Sequence, residues 1–136
     1  MMWHHLSRQP KWIDTVYGDT PPTLRTCRLS EVHFTDNNDM ILTLHIDEMP
    51  PEHLWPGRWD KGYNRVALTL VLSGIHAVRI EGWSANNVAN IEIRRADDGQ
   101  FIVLTASGAW GCITVTCGWL GIRTLKGYRA EEGAHE

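Results

Sequence analysis

The feature that most constrains this chain is the regular alternation of apolar residues between Arg65 and Arg95. An apolar side chain at every second position is typical of a β-strand that buries one face. Two breaks divide the stretch, Ser73-Gly74 and the polar residues 84–87. We therefore predict three consecutive strands joined by two turns. Their shared apolar face consists of Val66, Leu68, Leu70, Leu72, Val78, Ile80, Ala89, Ile91 and Ile93.

Most of the remaining chain shows similar strand and turn signals, with one helical exception near the start. Residues 10–18 place Trp12, Ile13, Val16 and Tyr17 at helical spacing between a proline and a glycine, which predicts a short helix. Further strands are expected at 24–34, 40–46, 101–105, 110–117 and 119–128, with Leu29 as a core residue and Asp97-Asp98-Gly99 as a hairpin turn.

Length and spacing together predict the architecture. A chain of 136 residues is expected to form one domain, here residues 1–136. Turns every eight to twelve residues or so indicate an all-β fold, mainly an antiparallel sandwich or open barrel of about eight strands, with one short N-terminal helix. The antiparallel core is predicted at 24–128 and a frayed tail at 129–136.

Composition narrows the cellular setting. The chain contains no run of eighteen apolar residues and no apolar segment of signal-peptide type near its start, which predicts a cytoplasmic protein without a membrane partner. Three cysteines, Cys27, Cys112 and Cys117, fit a reducing compartment. Cys112 and Cys117 are five residues apart and would face opposite sides of one regular strand, so we expect neither a bridge nor a shared metal.

Charge is distributed unevenly along the chain. Residues 31–57 contain six acids and no Lys or Arg, whereas residues 58–130 contain nine basic and five acidic residues. A nucleic-acid-binding protein usually presents a dominant basic face, so we predict no nucleic-acid partner. An acidic segment instead attracts a basic protein surface. The alternative is that these acids are ordinary solvated surface residues.

The longest irregular segment is 47–64, DEMPPEHLWPGRWDKGYN. A loop of this length is uncommon in a compact domain and is often functional. Trp55 and Trp59 argue against disorder, because large aromatic side chains normally dock somewhere. Two interpretations stay open: the tryptophans cover one end of the sheet, or they contribute to an interaction site.

Residues that could carry catalysis or bind a metal form no recognisable motif. Ser73 and His76 are expected to point to different sides, and no glycine-rich phosphate loop is present. His33, His45 and Asp47 could make a partial metal site if the two histidines faced each other across a hairpin, but no zinc-motif spacing supports it. Neighbours such as His4 and His5 diverge on an extended, mobile terminus. We predict no enzyme activity, no cofactor and no metal.

Several strings resemble a known bacterial family. YGDTPPTLRTCRLSEVHF, LTLHIDEMP, a proline-rich loop with Trp59 and Gly62-Tyr63-Asn64, VALTLVLSGIHAVRIEGW with IEI, and CGWLGIRTLKGY follow one another in order. This order is similar to that of the immunity protein 50 family over about residues 11–128. The resemblance implies an all-β protein that binds the cognate toxin domain of a polymorphic toxin system and blocks it without catalysing a reaction. No toxin-contact residue can be carried over to this chain from the resemblance.

We therefore predict an immunity protein acting in the cytoplasm of the producing cell. The charge asymmetry and the unusual loop predict a toxin-binding set of Asp47, Glu48, Glu52, Trp55, Trp59 and Asp60. Two alternatives remain. One is a small β-barrel ligand or metal binder or enzyme using His33, His45 and Asp47, and the other is a carbohydrate-binding sandwich with a row of Trp55, Trp59 and Trp83. An exposed edge strand could also pair two subunits as a homodimer.

Overall fold

The computed structural model describes residues 3–130 and confirms the all-β class with one short helix. The elements are a 3-10 turn (Trp3–Leu6), α1 (Pro10–Tyr17), β1 (Cys27–Phe34), β2 (Asp39–Ile46), a 3-10 turn (Glu52–Leu54), β3 (Arg65–Glu81), β4 (Val88–Arg95), β5 (Ile102–Gly108) and β6 (Gly111–Tyr128). The tail predicted at 129–136 lies outside the described residues from position 131 onward.

All strand neighbours are antiparallel, in the order β1-β2-β3-β6-β5-β4. A short contact between β4 and β1 closes this sheet into a barrel. Across that seam Cys27 pairs with Ala89 and Arg28 pairs with Val88. By contrast, β3 and β6 pair along almost their whole lengths and form the backbone of the fold.

The predicted breaks at Ser73-Gly74 and between Cys117 and Trp119 are wrong, because β3 and β6 each continue through them. The eight expected strands therefore become six. Gly74 has a φ of 65°, which bends the strand without ending it, and the register slips by one residue just beyond, between Ile75 and Ala77. A glycine that bends a strand and a glycine that makes a turn look alike in sequence.

The core forms where the alternation predicts it. Leu29 is 1% exposed, and the inward faces of β2, of the first half of β3 and of β4 are buried. These faces comprise Met40, Leu42, Leu44 and Ile46, then Val66, Leu68, Leu70 and Leu72, then Ala89, Ile91 and Ile93. The period of two thus identified these buried faces correctly. It was wrong for Val78 and Ile80 in the second half of β3, which were predicted on the same apolar face but are exposed.

Helix α1 packs against this core as its sequence indicates. It begins at Pro10 and ends before Gly18, whose φ of 65° stops the helix. Ile13, Val16 and Tyr17 are buried, but Trp12 is 45% exposed, so the apolar stripe is narrower than predicted. Within residues 3–130, no helix has the length and apolar character needed to cross a membrane.

The N-terminal segment is docked, which corrects the prediction of a mobile, extended start. Trp3 donates its indole N–H to the Pro22 carbonyl at 2.9 Å, and His4 is 2% exposed. Ser7 forms a parallel bridge with Leu120 and thereby adds a short fragment of chain beside β6.

The second half of β3 has a neighbour on one side only. β2 pairs with β3 as far as Ser73, and from 77 to 81 β6 is the one described strand beside it. Val78 and Ile80 lie opposite the buried Val115 and Ile113 of β6, yet they are 36% and 44% exposed. This half of β3 is therefore a free sheet edge with apolar side chains.

Candidate protein-interaction surface

The segment 47–64, here called the 47–64 loop, connects β2 to β3 and is held by an aromatic cluster. The ring centroids of Trp55 and Trp59 are 5.8 Å apart, and those of Trp59 and Tyr63 are 6.2 Å apart. Trp59 is 8% exposed, and a side-chain carbon at Gly127 would come within 2.7 Å of its ring. The cluster therefore lies flat on the end of β6, where glycine leaves room for it.

Hydrogen bonds fix both ends of the 47–64 loop. Near its start, the Tyr17 hydroxyl donates to the Glu48 carbonyl at 2.8 Å, and the Glu48 carboxylate accepts from the backbone N–H and the hydroxyl of Thr23. At its end, Asn64 exchanges two hydrogen bonds with the backbone of Ala130. The loop is thus a docked element whose outer residues are held in place.

The six predicted contact residues divide by their position in this loop. Glu48 and Trp59 point inward and hold the loop, and Trp55 is half-buried with its N–H bonded to the Pro50 carbonyl. The other three are exposed: Asp47, Glu52 and Asp60. The structure brings Trp55 and Trp59 into contact and leaves these three acids at the surface.

Two of the loop acids also act on the core. Burial, together with the smaller effect of the negative charges of Glu48 and Asp47, raises the pKa of the Cys27 thiol to about 12. Burial likewise raises the pKa of Cys117 to about 11. All three cysteines are free thiols, as expected, and Cys27 and Cys117 are buried.

A basic groove of about 420 Å³ opens beside the 47–64 loop, between α1 and β6. It is lined by Trp12, Thr15, Val16, Pro56, Arg58, Arg123, Thr124, Leu125 and Lys126. Sequence reasoning missed this groove because its three exposed cations, Arg58, Arg123 and Lys126, come from separate segments. The only sequence signal was the excess of basic residues after position 57.

The histidine site considered as an alternative is not assembled. His33 pairs with Ile41 and His45 with Arg28, so the two imidazoles do not face each other across the hairpin. Both ring nitrogens of His45 are engaged, Nδ1 with the Tyr128 hydroxyl at 2.6 Å and Nε2 with the Ser30 hydroxyl at 2.9 Å. His45 is thus held as a structural residue.

The tryptophan row considered for carbohydrate binding is not assembled either. Trp59 packs on Gly127, which pairs with Val66 near the start of β3, whereas Trp83 follows the far end of that strand. Trp83 is 49% exposed and instead makes an edge contact with Trp110, with ring centroids 6.0 Å apart.

Within residues 3–130, the fold and this surface define an all-β protein whose candidate site is a docked loop with exposed acids, as suits a protein that binds another protein. The chain belongs to the family described as Immunity protein 50, whose sequence profile matches residues 9–128. Neither a curated protein nor a solved structure matches the chain. The family indicates a toxin-immunity role, and such families are generally not enzymatic.

Proposed function

We propose that this protein binds a cognate toxin domain and neutralises it by forming a stoichiometric complex, without catalysing a reaction. The complex forms in the cytoplasm of the cell that produces the toxin. The observation that carries the proposal is the family match across residues 9–128, which spans every strand of the barrel. Neither nucleic acid nor membrane is a partner in this proposal.

The 47–64 loop is the proposed toxin contact. Asp47, Glu52 and Asp60 are exposed. The chain from 31 to 57, which contains the first two, has no Lys or Arg to offset their charge. A basic toxin surface, such as that of a domain that acts on nucleic acid, would be attracted to these charges. Trp55 adds a half-buried aromatic surface, and Glu48 and Trp59 hold the loop in its binding shape.

Charge reversal of the three exposed acids tests this contact. Asp47→Lys, Glu52→Lys and Asp60→Lys together should weaken toxin binding by more than roughly tenfold at low salt, and the loss should shrink as salt is added. The measurement is the dissociation constant by calorimetry at two salt concentrations. Glu48 stays unchanged, because its carboxylate holds Thr23 and its replacement would disturb the loop itself.

The matched control reverses three exposed cations that line the basic groove, of which Arg58 lies in the 47–64 loop and the other two lie in β6. Arg58→Glu, Arg123→Glu and Lys126→Glu change the charge by the same amount with the opposite sign. This variant should bind the toxin at least as tightly as the parent protein. If it loses binding while the acidic triple variant keeps it, the toxin contacts the basic groove and the assignment to the acids is wrong.

A further inference from the structure

Two histidines and one aspartate meet where the N-terminal 3-10 turn packs against helix α1. One nitrogen each of His4 and His5 and one carboxylate oxygen of Asp14 lie within 4.8 Å of one another. The closest pair is His4 Nε2 and Asp14 Oδ1, at 2.9 Å. The two imidazole rings lie 4.2 Å apart between centroids, so the expectation that they diverge is wrong.

The reason lies in the local backbone. Residues 3–6 form a 3-10 turn instead of an extended segment, so consecutive side chains do not alternate between opposite sides. Trp3 and Ser7 flank the histidines and are both buried, which holds the turn in place. His5 and Asp14 remain exposed, so the site is open to solvent on one side.

His4 is bonded differently from the structural histidine of this fold. His45 uses both ring nitrogens in hydrogen bonds, whereas His4 uses only Nε2 and leaves its buried Nδ1 without a partner. A buried polar atom without a partner is rare in native proteins and asks for an explanation. The hydrogen bonds of the described residues thus account for Nε2, which faces Asp14, and leave Nδ1 unpaired.

The geometry fits a small divalent cation. Imidazole nitrogen and carboxylate oxygen bind Zn²⁺ at about 2.0 to 2.2 Å, which puts two ligands of a tetrahedral ion roughly 3.3 Å apart. His4 Nε2 and Asp14 Oδ1 are already close to that spacing. The imidazole of His5 is exposed, so it can rotate towards the other two ligand atoms without disturbing the core.

We propose that His4, His5 and Asp14 bind a divalent transition-metal ion, with Zn²⁺ the cation best matched to two imidazoles and a carboxylate. Solvent completes the coordination. The ion fastens the N-terminal turn to α1 and so secures the adjoining fragment at Ser7, which bridges to Leu120 of β6. This site is independent of the proposed toxin contact.

The test is metal binding by the full chain, prepared without a polyhistidine tag and stripped with chelator. Titration calorimetry with zinc chloride at pH 7.5 should show one ion per chain, and zinc should raise the melting temperature. Asp14→Asn and His5→Ala should each weaken zinc binding by more than roughly tenfold. Both side chains are exposed, so these variants should still fold.

The matched control is His33→Ala, which removes an exposed histidine that lies outside the site and should leave zinc affinity unchanged. Absence of zinc binding overturns the proposal. Binding that survives both Asp14→Asn and His5→Ala, or that falls equally in His33→Ala, overturns it as well.

Discussion

At the scale of single residues, the buried thiol of Cys27 links the core to the 47–64 loop. Its side chain is fully buried, and the carboxylates of Glu48 and Asp47 add to the rise of its pKa to about 12. In the unfolded chain the same thiol titrates near its ordinary value of 9.0. This difference makes folding sensitive to alkaline pH.

We expect the free energy of unfolding to fall as the pH rises above about 9. Over that window the unfolded thiol loses its proton while the folded thiol keeps it, so alkaline conditions favour the unfolded state by up to about 1.4 kcal/mol per pH unit for each such group. Cys27→Ala should make the free energy of unfolding fall less steeply with pH, because it removes the contribution of this thiol. The measurement is urea unfolding at several pH values between 9 and 11. An unchanged slope in the variant would show that the thiol does not behave this way.

Gly111 is a second residue whose identity the fold requires. It has a φ of 141°, and a side-chain carbon there would overlap the backbone carbonyl of Glu81. Gly111→Ala should therefore lower the free energy of unfolding by at least about 2 kcal/mol more than a replacement at a glycine where only the positive φ is unfavourable. Gly99 is the matched control, because its φ is 74° and nothing lies within 4 Å of the added carbon. Equal losses of stability in Gly111→Ala and Gly99→Ala would contradict the close approach of β3 and β6.

At the scale of elements, the sequence identified buried faces better than strand ends. The alternation from Val66 to Leu72 correctly named one inward face, because burial on one side of a strand enforces a period of two. The predicted strand end at Gly74 was wrong, because glycine occurs both in a turn and in a bend within a strand that a long partner strand stabilises. Whether the chain bends or turns at Gly74 is decided by the pairing of β3 with β6, which joins residues far apart in the sequence.

In the candidate site, too, the sequence predicted local order but not the contacts between distant residues. Composition correctly marked the 47–64 loop as ordered, since Trp55 and Trp59 do dock. It could not show that Glu48 bonds Thr23, which lies 25 residues away in the chain. Nor could it show His4 beside Asp14, because ten residues separate them in the chain and the packing of the 3-10 turn against α1 brings them together.

The free edge of β3 leads to a prediction about self-association. Residues 77–81 have no described strand on their outer side, and Val78 and Ile80 are partly exposed there. We expect two subunits to pair weakly through this edge, because an exposed edge with apolar side chains is a ready template for another strand. Light scattering on a size-exclusion column should show a dimer fraction that grows with concentration.

Ile80→Lys should abolish that dimer, since a charged side chain on an edge blocks further pairing. Trp119→Lys is the control, because it places the same charge on an exposed side chain, at a position of β6 that pairs with the first half of β3. A protein that stays monomeric at every concentration tested would rule out the edge as a self-association site.

At the scale of the whole molecule, the barrel presents two oppositely charged surfaces beside one another. The 47–64 loop exposes Asp47, Glu52 and Asp60, while the adjoining groove is lined by Arg58 of the same loop and by Arg123 and Lys126 of β6. Such an arrangement can orient a partner as well as attract it, because like charges disfavour the wrong approach. The long β3 and β6 strands supply the rigid frame on which both surfaces are held.

The most direct measurement of the central claim is rescue of growth by co-expression. A candidate toxin gene from the neighbourhood of this gene is induced alone, together with the full chain, and together with the acidic triple variant. The proposed function predicts death with the toxin alone, normal growth with the full chain, and partial or no rescue with the variant, alongside a purified complex of one chain per toxin domain. Cells that die equally with and without the full chain, although both proteins are produced, would contradict the proposed function.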